Sequence, residues 1–206
     1  NPAELLMRAF MSETQIERSA QFVPMEYSNI TIDEKGFLYV TSGQIDRYKL
    51  WEATWTRSSE STYAPLKKIN TSGTDVLRRN GFFPPVGDIN FDPYEDSDPE
   101  ESLDPSQLTE ITLMENGVYL AVDTDSNKVF AYDSYSNLLY AFGGTGESLG
   151  LYNQLSSVEP FGSRLLALDT QDGSITVLDR TLYGELLNTV IGYQENREFD
   201  KAQALW

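Results

Sequence analysis

Apolar residues between Ile111 and Asp179 are grouped in short runs, and the grouping occurs twice. Val118 to Val122 and Leu165 to Leu168 are apolar at consecutive positions, and a glycine, Gly117 or Gly162, precedes each run. Runs of this length that are apolar on both faces predict strands buried from both sides, although a buried helical turn shares the pattern. Asp123, Val129 and Asp133 recur 46 positions later as Asp169, Ile175 and Asp179. The polar stretches 123–127 (Asp-Thr-Asp-Ser-Asn) and 169–173 (Asp-Thr-Gln-Asp-Gly) bond their own backbone and tolerate left-handed φ, so they predict turns between antiparallel strands.

A third, more degraded copy precedes these two. Ile30, Ile32, Gly36 and Phe37 to Val40 repeat the spacing of Ile111, Leu113, Gly117 and the run after it, and Leu66 to Asn70 stands where Val129 to Asp133 stands in the next copy. A period of this size marks stacked or radially arranged units. Four-stranded antiparallel units covered on both faces are the blades of a β-propeller. The predicted fold class is therefore all-β, with blades at 27–87, 108–146 and 155–183. Three blades are fewer than the roughly four to eight that close a ring.

Two flanking stretches have helical patterns. Residues 1–26 carry an inter-blade or packing helix over 2–20, with Leu5, Leu6, Ala9, Phe10, Ile16 and Ala20 near one face and Pro2 in the first turn. Residues 184–206 carry a helix pair that turns near 195–197, with Leu186, Val190 and Tyr193 expected to face Phe199, Ala202 and Trp206. The domain division is thus 1–26, 27–183 and 184–206.

Composition narrows the chemistry. The net charge is −17, which argues against a nucleic-acid partner. There is no cysteine and no histidine. Serine–histidine and cysteine–histidine catalysis and the usual zinc sites are therefore absent, and any reaction would rest on carboxylates, tyrosine, lysine or a hard oxygen-bound cation. No catalytic residue, metal site or cofactor is assigned. Asp96, Asp98 and Glu100 in the acidic stretch 88–107, and Asp123, Asp125 and Asn127, alternate oxygen ligands as calcium loops do. Both sets lack the glycine of such loops. Phe142-Gly-Gly-Thr-Gly146 has no Lys-Ser/Thr after it and reads as a turn between blades, not a phosphate loop. Between Thr41 and Leu66 an insertion of about twenty residues carries Trp51, Trp55 and Tyr63. With Tyr94 of the acidic stretch, these are the candidate binding residues, as a stacking platform for a sugar or peptide; the alternative is that they pin the insertion to its own blade.

Residues 27–183, the insertions excepted, resemble the NHL-repeat family of propellers, best in 117–181: Asp123 followed by Val129-Phe-Ala-Tyr-Asp133, Asn137-Leu-Leu, the 142–146 glycine stretch and Gly150-Leu-Tyr152. The 186–206 spacing is similar to a tetratricopeptide repeat, although Arg197 occupies the usual glycine position. Together they resemble a bacterial envelope group in which such a propeller precedes tetratricopeptide repeats and a membrane domain. The resemblance implies about six blades and an extracytoplasmic, non-catalytic binding or scaffolding module for a protein or glycan. The missing blades would come from the same polypeptide or a partner chain, and membrane association would arise only through segments outside this sequence. Asn1 reads as a cut end. A carbohydrate-active enzyme with paired carboxylates in the funnel is the alternative.

Overall fold

The computed structural model describes residues 27–42, 64–79, 85–88 and 106–205; the helix expected over 2–20 lies outside them. Three antiparallel sheets follow one another along the chain. The first holds β1 (Asn29–Ile32), β2 (Leu38–Thr41) and β3 (Leu66–Ile69). The second holds β4 (Leu108–Leu113), β5 (Tyr119–Asp123), β6 (Lys128–Tyr132) and β7 (Leu138–Gly143). The third holds β8 (Leu155–Phe161), β9 (Arg164–Asp169) and β10 (Ser174–Leu178). Each sheet is a meander whose first strand packs beside the first strand of the next, β1 against β4 and β4 against β8. This is the radial arrangement of propeller blades, three of them in an arc.

The sequence repeat is a repeat of register. Val122 pairs with Val129 in the second blade and Leu168 with Ile175 in the third. Ile30 lies opposite Val40 as Ile111 lies opposite Ala121, and Leu66 starts β3 opposite Thr41 as expected for the degraded copy. The two central strands of the second blade are buried almost end to end because they serve two cores at once. Tyr119, Ala121, Phe130 and Tyr132 pack with Tyr39, Leu66 and Ile111 towards the first blade. Leu120, Val122, Val129 and Ala131 pack with Tyr152, Leu155, Val158 and Ala167 towards the third. Period-two alternation sends neighbouring side chains to opposite faces, so a strand between two blades reads as one continuous apolar run.

Buried carboxylates organise the turns. Asp123 accepts the backbone N–H groups of Asp125 and Ser126 within its hairpin, and that of Gln107 just before β4. Asp169 repeats the pattern with Gln171 and Asp172 in its hairpin and with Asn153 and Gln154 before β8. The Asp172 N–H, with those of Asn153, Gln154 and Gln171, holds the Asp169 carboxyl below its ordinary pKa against the opposing pull of burial. Its contribution to stability is present above the unfolded value of about 3.9 and is lost as pH falls through the folded one. A second device closes three further turns: Asp33, Asn70 and Asp133 each accept N–H bonds from the residues two and four positions on. Three positions on from each, the backbone turns left-handed, at Gly36, Gly73 and Ser136. Ser136 tolerates this because its buried hydroxyl accepts from Tyr119 Oη at 2.8 Å and donates to the Arg78 carbonyl, joining two blades.

The outer edges of the blades differ. In the first, a bridge between Ile69 and Asp75 replaces a fourth strand. Asp75 accepts from Lys68 N–H, Arg79 donates to the Leu66 carbonyl, and the two side chains pair at 2.7 Å while almost fully buried. These side chains satisfy the edge of β3 as a strand would. In the third blade no strand follows β10 among the described residues, because the chain turns into α1 (Leu182–Glu195).

Thr181 caps α1 by accepting from Gly184 N–H, and α2 (Phe199–Leu205) completes a hairpin whose turn, 196–198, falls one residue later than expected. The contact face also differs from expectation. Val190 and Ala202 are buried, but Leu186 and Phe199 are exposed, and Trp206 lies outside the described residues. Leu187 and Ile191 instead pack on Val118, so α1 turns its apolar stripe towards the second blade. A hairpin with one neighbour buries the stripe facing that neighbour. Asn116 donates to Asn188 across the same contact, and Arg180 pairs with Glu115 beside it.

Two stability predictions follow from this packing. Leu120→Ala, at a fully buried site, should lower stability by about 2–5 kcal/mol. Ile175→Ala, on the open face of β10, should cost under about 1 kcal/mol in this chain. Urea midpoints would compare them; equal losses would contradict a one-sided third blade. Arg197 adopts φ 61°, so Arg197→Gly should stabilise the helical hairpin by about 0.5–1 kcal/mol, read as raised amide protection in 182–205.

Candidate functional site

Three places combine polar chemistry with a concave or seam geometry. The first is the seam between the inner strands. Glu110 and Thr112 lie two positions apart on β4, so alternation puts them on one face, away from Ile111. Ser157 and Glu159 do the same on β8. The hydrogen bonds across the seam are reciprocal: Ser157 Oγ donates to Glu110 Oε1 at 2.6 Å, and Thr112 Oγ1 donates to Glu159 Oε2 at 3.0 Å. Glu110 Oε2 is buried without a partner. Burial, reinforced by the Glu159 charge, pushes the Glu110 carboxyl above its ordinary pKa, against the Ser157 hydrogen bond. Two carboxylates are thus brought together near the propeller axis with unequal environments.

The second place is a cleft of about 340 Å³ between the second and third blades and the start of α1. Its walls are apolar and aromatic, with Met114, Tyr140, Phe142, Leu165 and Leu178, and Tyr183 at the helix end. Arg180, Asp179, Ser163 and Thr181 supply its polar edge. Tyr152 also lines it; this residue is 2% exposed and its hydroxyl has no hydrogen-bond partner. Burial, with the Asp169 charge, pushes the Tyr152 phenol up, so it stays a donor. The strands converge here because the 142–146 stretch turns between blades, with Tyr152 N–H bonded to the Gly144 carbonyl. A side chain at Gly143 would meet the Asn127 carbonyl, which fixes glycine there.

The third is a polar groove beside the first blade, lined by Lys35, Lys68, Arg78 and Glu195 together with Phe37 and Tyr39. Lys68 Nζ lies 4.6 Å from both ring centroids and 3.2 Å from Asp33. That cation is already engaged by its own blade.

The candidate binding residues Trp51, Trp55, Tyr63 and Tyr94, and most of the acidic stretch, lie outside the described residues. The two ends of that stretch are tied: Asp88 pairs with Lys128 at 2.6 Å, and Ser106 Oγ accepts from Asp88 N–H. Asp123, weighed above as a calcium ligand, spends its oxygens on the turn and on Ser126 Oγ. No cluster of three acidic groups able to hold a metal occurs among the described residues. Sequence reasoning passed over Glu110, Glu159, Tyr152 and Arg180. The polar alternation Glu110, Thr112 around Ile111 was the available signal for the first pair. Nothing in the chain order marks the convergence at Tyr152 and Arg180.

The seam makes a pH prediction. Because the folded pKa of Glu110 is raised, its protonation favours folding below the unfolded value of about 4.3, and that contribution is lost as pH rises through the folded value. Glu110→Gln should therefore gain most relative to the parent near pH 7 and least near pH 4.5, in urea midpoints. A difference independent of pH would count against it.

No family pattern and no curated protein matches the chain. Among solved structures it is similar to a selenomethionine-substituted virginiamycin B lyase from Staphylococcus aureus, with 14% identity and a TM-score of 0.37 over 75% of this chain and 41% of that one. It is also similar to a catalytically inactive variant of virginiamycin B lyase from Staphylococcus aureus with quinupristin, with 12% identity and a TM-score of 0.38 over 80% of this chain and 44% of that one. A structure described as a streptogramin B lyase matches at 12% identity and a TM-score of 0.37, over 78% and 42% of the two chains. This chain spans less than half the length of each of these three structures.

Proposed function

We infer that the protein is a non-catalytic binding or scaffolding module: an arc of an NHL-type propeller with a tetratricopeptide-like tail, acting outside the cytoplasm on a protein or glycan. One observation carries this reading. Both ends of the arc present strands built to be covered: Ile30 and Ile32 on β1 are 61% and 62% exposed, and Ile175 and Val177 on β10 are 62% and 52% exposed. The equivalent faces of the second blade are sealed. Exposed apolar area of this kind marks an interface. The remaining blades, from the same polypeptide or a partner chain, are its natural occupants, and the whole would number about six. The localisation rests on the family resemblance alone. No helix among the described residues is long and apolar enough to cross a membrane.

A second reading, a carbohydrate-active enzyme, is favoured by the Glu110–Glu159 pair with its unequal environments. It is the weaker one. Each carboxylate already binds a hydroxyl of the neighbouring blade, and neither lines the interblade cleft or the polar groove described above. Lacking histidine and cysteine, the chain should also be silent towards esters, lactones and peptides.

Two measurements test the primary reading. In sedimentation velocity the isolated chain should self-associate as its concentration rises, and Ile175→Lys with Val177→Lys should suppress this. A parent chain that stays monomeric and binds no apolar dye would refute open faces. Turnover of aryl glycosides that Glu110→Gln and Glu159→Gln each abolish would promote the enzyme reading.

A further inference from the structure

We propose that the cleft between the second blade, the third blade and the start of α1 binds a small amphipathic carboxylate: one aromatic or branched apolar group carrying a carboxylate. This deepens the binding-module reading and rests on it. The volume, about 340 Å³, suits one large side chain or a small acid. Tyr140 and Phe142 stand 6.4 Å apart at a tilt and form one wall, with Leu165 and Leu178 opposite. An apolar group entering here displaces water from aromatic and aliphatic surface.

The polar groups define the rest of the ligand. Tyr152 has a hydroxyl that is buried with no partner, which costs free energy unless a bound molecule accepts from it. Arg180 and the first turn of α1, whose dipole favours an anion, also line the cleft. Arg180 pairs with Glu115 at 3.3 Å, and Glu115 is more than half exposed. A ligand carboxylate can replace so loosely held a partner with a bidentate contact. Asp179, the other charge lining the cleft, is held by Arg164 at 2.7 Å and is thereby offset. With Glu115 displaced, Arg180 is left as an unpaired cation over an apolar floor. Free aromatic acids and peptide C-termini ending in an apolar residue share this chemistry.

The test uses the 206-residue chain and four probes: N-acetylphenylalanine, its amide, the peptide Gly-Gly-Gly-Phe with a free C-terminus, and the same peptide amidated. Amide chemical shifts of 139–152 and 178–184 report binding. The free acids should saturate with a Kd of about 10⁻⁴ M, and the amides should bind about tenfold more weakly. Arg180→Gln should remove that preference, and Tyr152→Phe should weaken acid and amide alike by about three- to tenfold. Glu115→Gln, which frees Arg180 without touching the cleft wall, should tighten the acids about two- to threefold. A peptide at least about tenfold tighter than the free acid assigns the site to chain ends, and equal affinity assigns it to small acids. Absence of saturation at millimolar acid, equal affinity for acid and amide, or no effect of Glu115→Gln overturns the proposal. The outcome is separable from the module reading. Glycoside turnover dependent on Glu110 would remove that reading and leave these titrations standing, whereas a silent cleft leaves the sedimentation result untouched.

Discussion

A buried aspartate that accepts backbone N–H bonds from two places at once holds each well-formed blade together. Asp123 and Asp169, both 2% exposed, bind their own hairpins and the residue sixteen positions back, where the first strand of the blade begins. The second strand of each blade is thereby locked at its end to the entry of the first. A carboxylate suits the position because it is acceptor-only and meets backbone donors that burial would otherwise leave unpaired. The degraded first blade has Ser42 at the corresponding position after β2, and there the ties run differently. Thr41 reaches across to the Thr109 carbonyl in the next blade, and Asp75 with Arg79 closes the outer edge.

Stability in such an assembly is shared between neighbours. A blade is a thin sheet with two apolar faces and can bury neither alone. The second blade is complete in this sense. Its side chains alternate into two separate cores, and Asn127 adds a polar tie by accepting the buried Leu155 N–H at 2.7 Å. In the third blade Gly173 takes the place of Asn127 and carries no side chain to repeat that tie. The outer face of that blade is left open on one side while its inner face is packed.

The polar chemistry gathers where blades meet. The Glu110–Ser157 and Glu159–Thr112 bonds cross the inner seam, and the cleft at Tyr152 crosses the outer one. Strand alternation supplies the first, since residues two apart share a face. The second exists because the third blade stops at β10 and α1 docks on the second blade, leaving a gap with aromatic walls. The departure of the chain into a helix both shortens the last blade and shapes this cleft.

By itself the sequence determined the strand repeat, its spacing, the hairpin aspartates and the presence of a C-terminal helix pair. These are local properties: runs of apolar residues, side chains that bond their own backbone, and periodicity within about fifteen residues. Registers such as Val122 with Val129 follow from them directly. Only the tertiary structure decided which face of α1 is buried. Leu186 and Leu187 are neighbours in sequence, and docking on Val118 selected Leu187. Likewise Glu110 meets Ser157, 47 positions away, only because two first strands lie side by side. Tyr152 and Arg180 come together through the packing of blade against helix. Contacts of this kind depend on how units stack, and spacing along one unit holds no record of its neighbour's position.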